Sequence, residues 1–580
     1  MADINLKINN MPVTVPEGTT VLEAAAKLNI VIPTLCYLKE INAIGACRIC
    51  VVEVKGARTL VASCVAPVSE GMEVQTNTPA VIKSRKMTTE LILSDHKRNC
   101  LSCSRSTNCT LQGLAHDLGI ADESRFDGEM NEFEIEDNNP YLVRDNNKCI
   151  LCRKCVAVCK HNQAVSVIGA NDRGFETNIS SANKRDLKDI GCIACGQCTV
   201  VCPTGALTEK DDTQIVFDAI ADPKKHVVVA PAPAVRAQLG ECFGMPIGTN
   251  VEGKLAASLR RLGFDRVFDI DTAADITIME EGTEFINRVK ANGPFPLITS
   301  CSPGWIKYCE HYFPEFIPNL SSCKSPQAMY GALMKSYYAE KFNLDPKDIF
   351  VVTIMPCVAK KYERTRKENH VDGLADIDAA ITTRELSKMI KKAGINFTAL
   401  PNEEFDPIFG IASGAGHLFG ATGGVMEAAL RTVKVILENK ELESLDFTDV
   451  RGIEGIKEAT YNVAGIDVKV AVVSGTANAA KLLDRIKSGE AFYHFVEIMA
   501  CPGGCVNGGG QPIQSAYTRA TTDIKALRAK ALYDEDKAMT LRQSHKNPVV
   551  KEIYDTYLKE PCGHKSHHLL HTTYSQKSKH

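Results

Sequence analysis

The chain has 580 residues, of which 44% are apolar and 24% charged, and its formal net charge is −3. That length exceeds a single hydrophobic core and implies roughly three to five domains. The near-neutral balance argues against bulk nucleic-acid binding, and with no apolar run of about 18 residues neither a membrane span nor a signal peptide is expected. Most of the 23 cysteines fall in tight clusters within residues 36–202, rich in Cys-x-x-Cys steps. In a long chain without a leader, that usage points to metal ligands in a reducing cytoplasm rather than to disulfides.

Residues 1–79 read as strands around one helix. INLKINNMPVTV (4–15) alternates apolar positions about a turn signal at Asn9-Asn10, and TVLEAAAKLNI (20–30) has helical spacing. CRICVVEVKG (47–56) adds a strand ending in a Lys-Gly turn, and the set suggests a β-grasp. Residues 80–125 read as helical, with VIKSRKMTTELILSDH (81–96) amphipathic, and residues 126–140 as an acidic linker. Residues 141–212 repeat one cysteine pattern twice. From about 220, short β-branched runs such as KHVVVAPAPAVR, IFVVTIMPC, VKVAVVSG and YHFVEIMAC alternate with helical stretches. The predicted class is a multidomain chain, α+β followed by α/β with mainly parallel strands. Cys301, Cys357 and Cys501 lie just past such runs, where open α/β sheets place their sites. The end, SQKSKH (575–580), reads as a polar tail.

Four cysteine constellations precede the α/β region. Cys36, Cys47, Cys50 and Cys64 form the first; soft thiolates suit iron, and a two-residue gap lets both sulfurs of a turn reach one metal. Plant-type [2Fe–2S] ferredoxins use a related loop with different spacing, and structural zinc is the competing assignment. His96, Cys100, Cys103 and Cys109 form H-x3-C-x2-C-x5-C, a set zinc would also accept. Cys149, Cys152, Cys155 and Cys159 form C-x2-C-x2-C-x3-C, and Cys192, Cys195, Cys198 and Cys202 repeat it, followed by Pro203. In that bacterial two-cluster run the fourth cysteine serves the other cluster. Cys202 therefore joins Cys149, Cys152 and Cys155 on one [4Fe–4S] cluster, and Cys159 joins Cys192, Cys195 and Cys198 on the other.

Three further loops, TSCSPGW (299–305), MPCVAKKYE (355–363) and MACPGGCVNGGGQP (499–512), resemble the signature segments of the iron–iron hydrogenases. With the accessory motifs in the family's order, the resemblance covers nearly the whole chain. The His96 set is similar to the His/Cys3 [4Fe–4S] site of that family and of the large iron–sulfur subunit of respiratory complex I. The resemblance implies a [2Fe–2S] β-grasp domain (1–79), a His/Cys3 [4Fe–4S] domain (80–125), a two-[4Fe–4S] ferredoxin domain (141–212) and a two-lobed H-cluster domain (220–545). A tail (546–580) resembles a small-subunit segment.

The H-cluster is a [4Fe–4S] cubane bridged by a cysteine to a di-iron subsite carrying CO, CN⁻ and an azadithiolate. By motif match Cys357, Cys501 and Cys505 hold the cubane, with Cys505 the bridge. Lys360 and the Ala232-Pro233 segment approach the cyanides, Met355 and Met499 pack on the di-iron unit, and Phe419 and Gly420 line the pocket. Taken alone, the methionines could be core and Lys360 a solvated charge. Gly503-Gly504 and Gly508-Gly509-Gly510 suit close backbone approach to a bulky cofactor. The family's proton relay maps onto Cys301, Glu281, Ser321 and Glu284, ending near Arg288; spacing alone would leave two solvated glutamates on one helix face.

One position departs from the family. Most relatives carry two adjacent cysteines where this chain has Cys301-Ser302. The first is the proton donor and the second the fourth cubane ligand. An alkoxide is a harder ligand than a thiolate. Either Ser302 ligates weakly, or Cys301 takes over ligation and leaves Ser302 as the poorer donor, or the serine marks a tuned or engineered variant.

The tail GHKSHHLLHTTY (563–574) resembles subunits of multimeric, electron-bifurcating hydrogenases linked to NAD(P) and ferredoxin. No G-x-G-x-x-G fingerprint or flavin motif occurs, so flavin and NAD(P) are expected on partner subunits. Other implied partners are H2, protons and the maturation enzymes. A single-chain ferredoxin-dependent hydrogenase is the alternative, followed by a non-catalytic relative in H2 sensing, iron–sulfur assembly or electron transfer.

Overall fold

The computed structural model describes residues 2–39, 41–122 and 124–579. The first domain is a five-stranded mixed sheet, ordered Met11–Pro16, Asp3–Ile8, Glu73–Gln75, Val51–Val54, Val61–Ala62. Its opening hairpin turns on Asn9 and Asn10, both at positive φ (50° and 65°), the requirement of a two-residue hairpin turn that asparagine tolerates. Helix Val21–Lys27 starts at a capping box between Thr20 and Glu23. Its buried Val21, Ala24 and Ala25 close the core over the sheet.

Helices Pro79–Ser94 and Thr110–Asp117 carry the next domain. The acidic stretch expected as a linker is tied down instead. Asn131 donates to both carboxylate oxygens of Asp95 at 2.8 Å. Glu136 pairs with Arg144 at 2.6 Å, with both side chains largely buried, and accepts the Leu187 amide. In the two-repeat region, strands Leu142–Arg144 and Leu207–Glu209 pair antiparallel. The two short helices Lys154–Ala157 and Gln197–Val201 are each entered through a left-handed residue, Arg153 and Gly196.

The remainder forms two lobes, each with a four-stranded sheet. The first runs Arg266–Val267, His226–Pro231, Ile349–Met355, Ala379–Thr382, all parallel. The second runs Leu297–Ile298, Phe495–Met499, Ile466–Ser474, Ile456–Val463, parallel except for its outer hairpin. The inner strands are near-continuous β-branched runs buried on both faces, as sheets covered by helices require. Helix Asp271–Lys290 packs against both lobes' cores, Ile276 in one and Ile278 in the other. The carboxyl ends of His226–Pro231, Ile349–Met355 and Phe495–Met499 open on one cleft.

The polar tail is docked rather than free. His571 pairs with Cys323 across a backbone bridge, and Lys577 binds Glu310 through both its amide and its ammonium group. Among the described residues no helix is long and apolar enough to cross a membrane.

Candidate redox and catalytic site

The N-terminal thiols converge. Cys36 and Cys47 lie close enough to perturb each other, as do Cys50 and Cys64, and the charges of Cys36, Cys47 and Cys50 all act on Cys64. Such a group of mutually repelling thiolates is the donor set a cationic iron centre neutralises. His96 is 7% exposed, and its Nδ1 has no hydrogen-bond partner among the described residues. Burial, helped by Lys148, lowers its pKa to about 4. The ring is thus neutral, with a lone pair available to a metal. Cys100, Cys103 and Cys109 are half-buried. Cys103 lies against Gly205, where an added Cβ would sit 2.8 Å from Sγ.

The eight ferredoxin-type cysteines divide between two cavities. Cys149, Cys152, Cys155 and Cys202 line one of about 390 Å³. Cys159, Cys192, Cys195 and Cys198 line the other, of about 450 Å³. In each, three consecutive cysteines come from one repeat and the fourth from the other repeat.

A third cavity, about 760 Å³, lies in the cleft between the lobes. Cys357, Cys501 and Cys505 form its thiol wall, with Cys301 and Ser302 beside them; Met355, Met499, Phe419, Ala232 and Pro233 supply apolar surface. A buried cavity with thiols on one side and soft apolar surface on the other fits an iron–sulfur unit joined to a neutral, CO-bearing one. Ser302 Oγ accepts the Ala500 amide at 3.2 Å. Lys360 reaches the cavity wall, and its Nζ donates to the Cys301 carbonyl at 3.2 Å and to Glu363 at 2.9 Å.

Two expectations about glycines change. Gly420 is not on the cavity wall; its face meets Leu532 and Ala234, and its carbonyl accepts the Val506 amide at 2.9 Å. It supports the Cys505 loop from behind. In the CPGGCVNGGG loop Gly504 lines the cavity, and the tightest approaches at Gly504, Gly508 and Gly509 are backbone on backbone. A Cβ on Gly509 would lie 2.3 Å from the Cys195 carbonyl, one on Gly508 2.2 Å from that of Pro356, and one on Gly504 2.6 Å from the Thr422 nitrogen. These contacts press the cysteine-bearing loops together. As a result Cys195 lines both the 450 Å³ cavity and the catalytic one.

The residues expected to form a relay gather on one side of this cavity, and two of them are hydrogen-bonded. Ser321 Oγ donates to Glu284 Oε2 at 2.8 Å, and Arg288 donates to Glu284 Oε1 at 2.8 Å. Glu281 is fully buried, and neither carboxylate oxygen has a hydrogen-bond partner among the described residues. Ser321 lies close enough to stabilise its charge but gives its hydroxyl proton to Glu284. Burial, with the charge of Glu284 adding, raises Glu281 to a pKa of about 8. Burial, reinforced by Glu281, pushes the Cys301 thiol well up. Near neutral pH both groups hold their protons, as a relay poised to donate must.

Sequence reading missed two supports. Arg236 is fully buried and pairs with Asp269 at 2.8 Å and Asp271 at 3.0 Å, and also with Glu252. It fixes the segment that carries Ala232 and Pro233; an arginine ending the apolar run APAVR was the available signal. Lys307 is buried near Cys192, its ammonium 4.4 Å from the Tyr362 ring centroid. Burial lowers its pKa to about 8.

Family comparisons agree with this arrangement. Residues 225–509 match the iron-only hydrogenase large subunit, C-terminal domain. Residues 522–577 match the iron hydrogenase small subunit, 1–79 a 2Fe-2S iron-sulfur cluster binding domain, 85–124 the NADH-ubiquinone oxidoreductase-G iron-sulfur binding region, and 148–206 a 4Fe-4S dicluster domain. The NADP-reducing hydrogenase subunit HndD of Solidesulfovibrio fructosivorans is 45% identical, with all of both chains covered. Iron hydrogenase 1 of Clostridium pasteurianum is 43% identical, over 98% of this chain and 99% of its own. A solved structure of the [FeFe]-hydrogenase HydA1 from Chlamydomonas reinhardtii superposes with a TM-score of 0.57 at 44% identity, covering 63% of this chain and 99% of that one. The chain belongs to the iron–iron hydrogenase family. It is a multidomain iron–sulfur oxidoreductase with an H-cluster domain.

Proposed function

We propose that the chain is the cytoplasmic catalytic subunit of a multimeric hydrogenase that interconverts H2 with protons and electrons. Its electrons exchange with flavin/NAD(P)-binding and ferredoxin-linked partner subunits, in an electron-bifurcating complex. The observation that carries this reading is Cys195, one wall shared by the last ferredoxin-type cavity and the catalytic cavity. A side chain common to both walls is where electrons would cross between the two sites. The name of the HndD relative, an NADP-reducing hydrogenase subunit, supports partner subunits.

In this reading Cys36, Cys47, Cys50 and Cys64 hold a [2Fe–2S] cluster, and His96 with Cys100, Cys103 and Cys109 holds a [4Fe–4S] cluster. The two swapped ferredoxin sets hold two more. Cys357, Cys501 and Cys505 hold the cubane, with Ser302 or Cys301 as fourth ligand. The bound H-cluster supplies the centre where H2 is split or formed. The protein's residues do the rest. Met355, Met499 and Phe419 exclude water from the cleft. Lys360, held by Glu363, presents a positive charge at the cavity wall. Cys301, Glu281, Ser321 and Glu284 pass protons in that order, with Ser321 already hydrogen-bonded to Glu284 and the charge of Glu281 acting on Cys301. Arg288 holds Glu284 in place.

Anaerobically matured protein tests this. It should contain about 20 iron atoms per chain, show infrared bands of CO and cyanide, and reduce viologen with H2. Reduction of NADP⁺ should appear only with partner subunits present. Absence of the infrared bands in matured protein would overturn the catalytic reading in favour of a non-catalytic relative. NADP⁺-independent, ferredoxin-linked turnover by the isolated chain alone would favour the single-chain alternative.

A further inference from the structure

We propose that His571 is the group through which protons pass between the Glu284 end of the relay and solvent. The inference rests on the relay reading above. Arg288 cannot serve, because a guanidinium does not release its proton in a protein. Its donors are also committed, to Glu284 at 2.8 Å, the Leu320 carbonyl at 2.9 Å and the Asn319 carbonyl at 3.2 Å. The relay therefore needs a titratable group beyond Glu284.

A cavity of about 620 Å³ lies there, open to solvent, and Glu284, Ser322 and His571 all line it. His571 sits between two partners. Its Nε2 is 3.1 Å from Glu280 Oε2, and its Nδ1 is 2.8 Å from Ser322 Oγ. Glu280 is fully buried and is held by the Tyr554 hydroxyl at 2.5 Å, the Cys562 amide at 2.6 Å and Ser566 Oγ at 3.2 Å. An anchored carboxylate keeps the hydrogen on Nε2, and Nδ1 is left to take and give a proton toward Ser322. The Ser322 amide in turn donates to Glu284 Oε2 at 3.2 Å. Ser322 thus touches His571 through its hydroxyl and Glu284 through its amide, and all three residues line the same solvent-open cavity. Outside, the exposed ring of His567 stacks on His571 at 4.5 Å and meets the solvent first.

Glu280 adjoins Glu281 in sequence but leaves the helix on another face, so one helix presents both the inner acceptor and the anchor of the outer one. The competing role is purely structural. His571 and Glu280 would then pin the C-terminal segment, whose backbone bridges Cys323 at His571.

The test uses matured full-length enzyme carrying His571→Ala, His571→Asn or Glu284→Gln, assayed for H2 turnover with and without added imidazole. His571→Ala should turn over at least about tenfold more slowly, since a positioned proton-transfer group contributes about 10²-fold or more, and added imidazole should restore much of the rate. His571→Asn keeps a polar contact to Ser322 but cannot shuttle a proton, so it should be equally slow and gain little from imidazole. Infrared bands of the H-cluster should be unchanged in both. Wild-type turnover in either variant would overturn the inference, and so would a slow His571→Ala that imidazole does not rescue, which is the structural pin. If Glu284→Gln is slow while both His571 variants are normal, only this inference fails. If Glu284→Gln itself turns over normally, the relay reading fails with it.

Discussion

The side-chain amide of Asn42 donates to the carbonyl oxygen of Cys152 at 3.0 Å, and to that of Cys36 at 2.7 Å. One buried side chain thus ties the first thiol group to the first ferredoxin-type cavity, and Cys47 lies near enough for its charge to act on Cys152. On the other flank, Arg105 donates to the Cys202 carbonyl at 3.2 Å. Two accessory groups therefore approach the same cavity from different sides. Asn42→Leu leaves two carbonyl oxygens short of a donor, a cost of about 1–3 kcal/mol. H2-driven reduction of the [2Fe–2S] signal in electron paramagnetic resonance should slow, while H2/D⁺ exchange stays at the wild-type rate. An unchanged reduction rate would mean that the contact has no part in electron passage.

Glu284→Gln preserves shape but removes a titratable group from the centre of the hydrogen-bonded chain. Turnover of H2 should fall by at least about tenfold, because positioned proton transfer is worth that much, and the infrared bands should persist. Normal turnover would return Glu281 and Glu284 to the role of helix-face charges.

Glu281, with its pKa near 8, gives a directional pH effect. H2 evolution needs a proton on this carboxyl, so its rate should fall as pH rises through about 8. H2 oxidation needs the carboxyl empty, so its rate should rise across the same interval. Measured in both directions with one viologen-type mediator pair, the two profiles should cross with opposite slopes. Parallel profiles would show that another group sets the limit.

Ser302→Cys restores the family's adjacent thiols. Ser302 Oγ accepts the Ala500 amide, so as a ligand it must share its oxygen between that donor and iron. We expect the cysteine variant to raise either cubane occupancy or turnover per cluster. Higher occupancy at equal turnover per cluster marks Ser302 as a poor ligand; equal occupancy with faster turnover marks Cys301 as diverted from the relay. No change in either quantity would make Ser302 a fully competent natural ligand.

What could be read from sequence tracks how local the physics is. The cysteine groups were readable because ligand spacing within a turn is a short-range constraint, and the Asn9-Asn10 hairpin because positive φ selects few residue types. The strand runs were readable because burial on both faces leaves no polar alternation. Cys195 on the catalytic cavity was not, since that depends on Gly509 meeting it from 314 residues away. The same holds for Glu280, whose partners Tyr554, Cys562 and His571 lie 274 to 291 positions along the chain. Gly420 shows the limit of a motif: it marks a tight place, but not which neighbour makes it tight.

The seams of the molecule differ in kind, and this bears on where it could be cut. Around the two-repeat region the joint is electrostatic and buried. Arg384 pairs with Glu209 at 2.6 Å, Lys361 with Asp212 at 2.8 Å, and Thr199 accepts from Arg384 at 3.0 Å. Excising residues 141–212 would strand an arginine in the remaining core and strip Lys361 of one of its two carboxylates, and unpairing a buried ion costs about 3–5 kcal/mol. The link from Asn42 to the Cys152 carbonyl is a single neutral hydrogen bond, worth about 1 kcal/mol. Removing the first domain would uncover an apolar seam, where its Leu35 and Ile49 pack on Leu93, Leu111 and Leu114, and would take the Val51 carbonyl from buried Arg85, whereas removing the ferredoxin repeats would break buried ion pairs of the catalytic lobes. The outer joint is thus held mainly by apolar burial and the inner one by ion pairs, so salt loosens only the second.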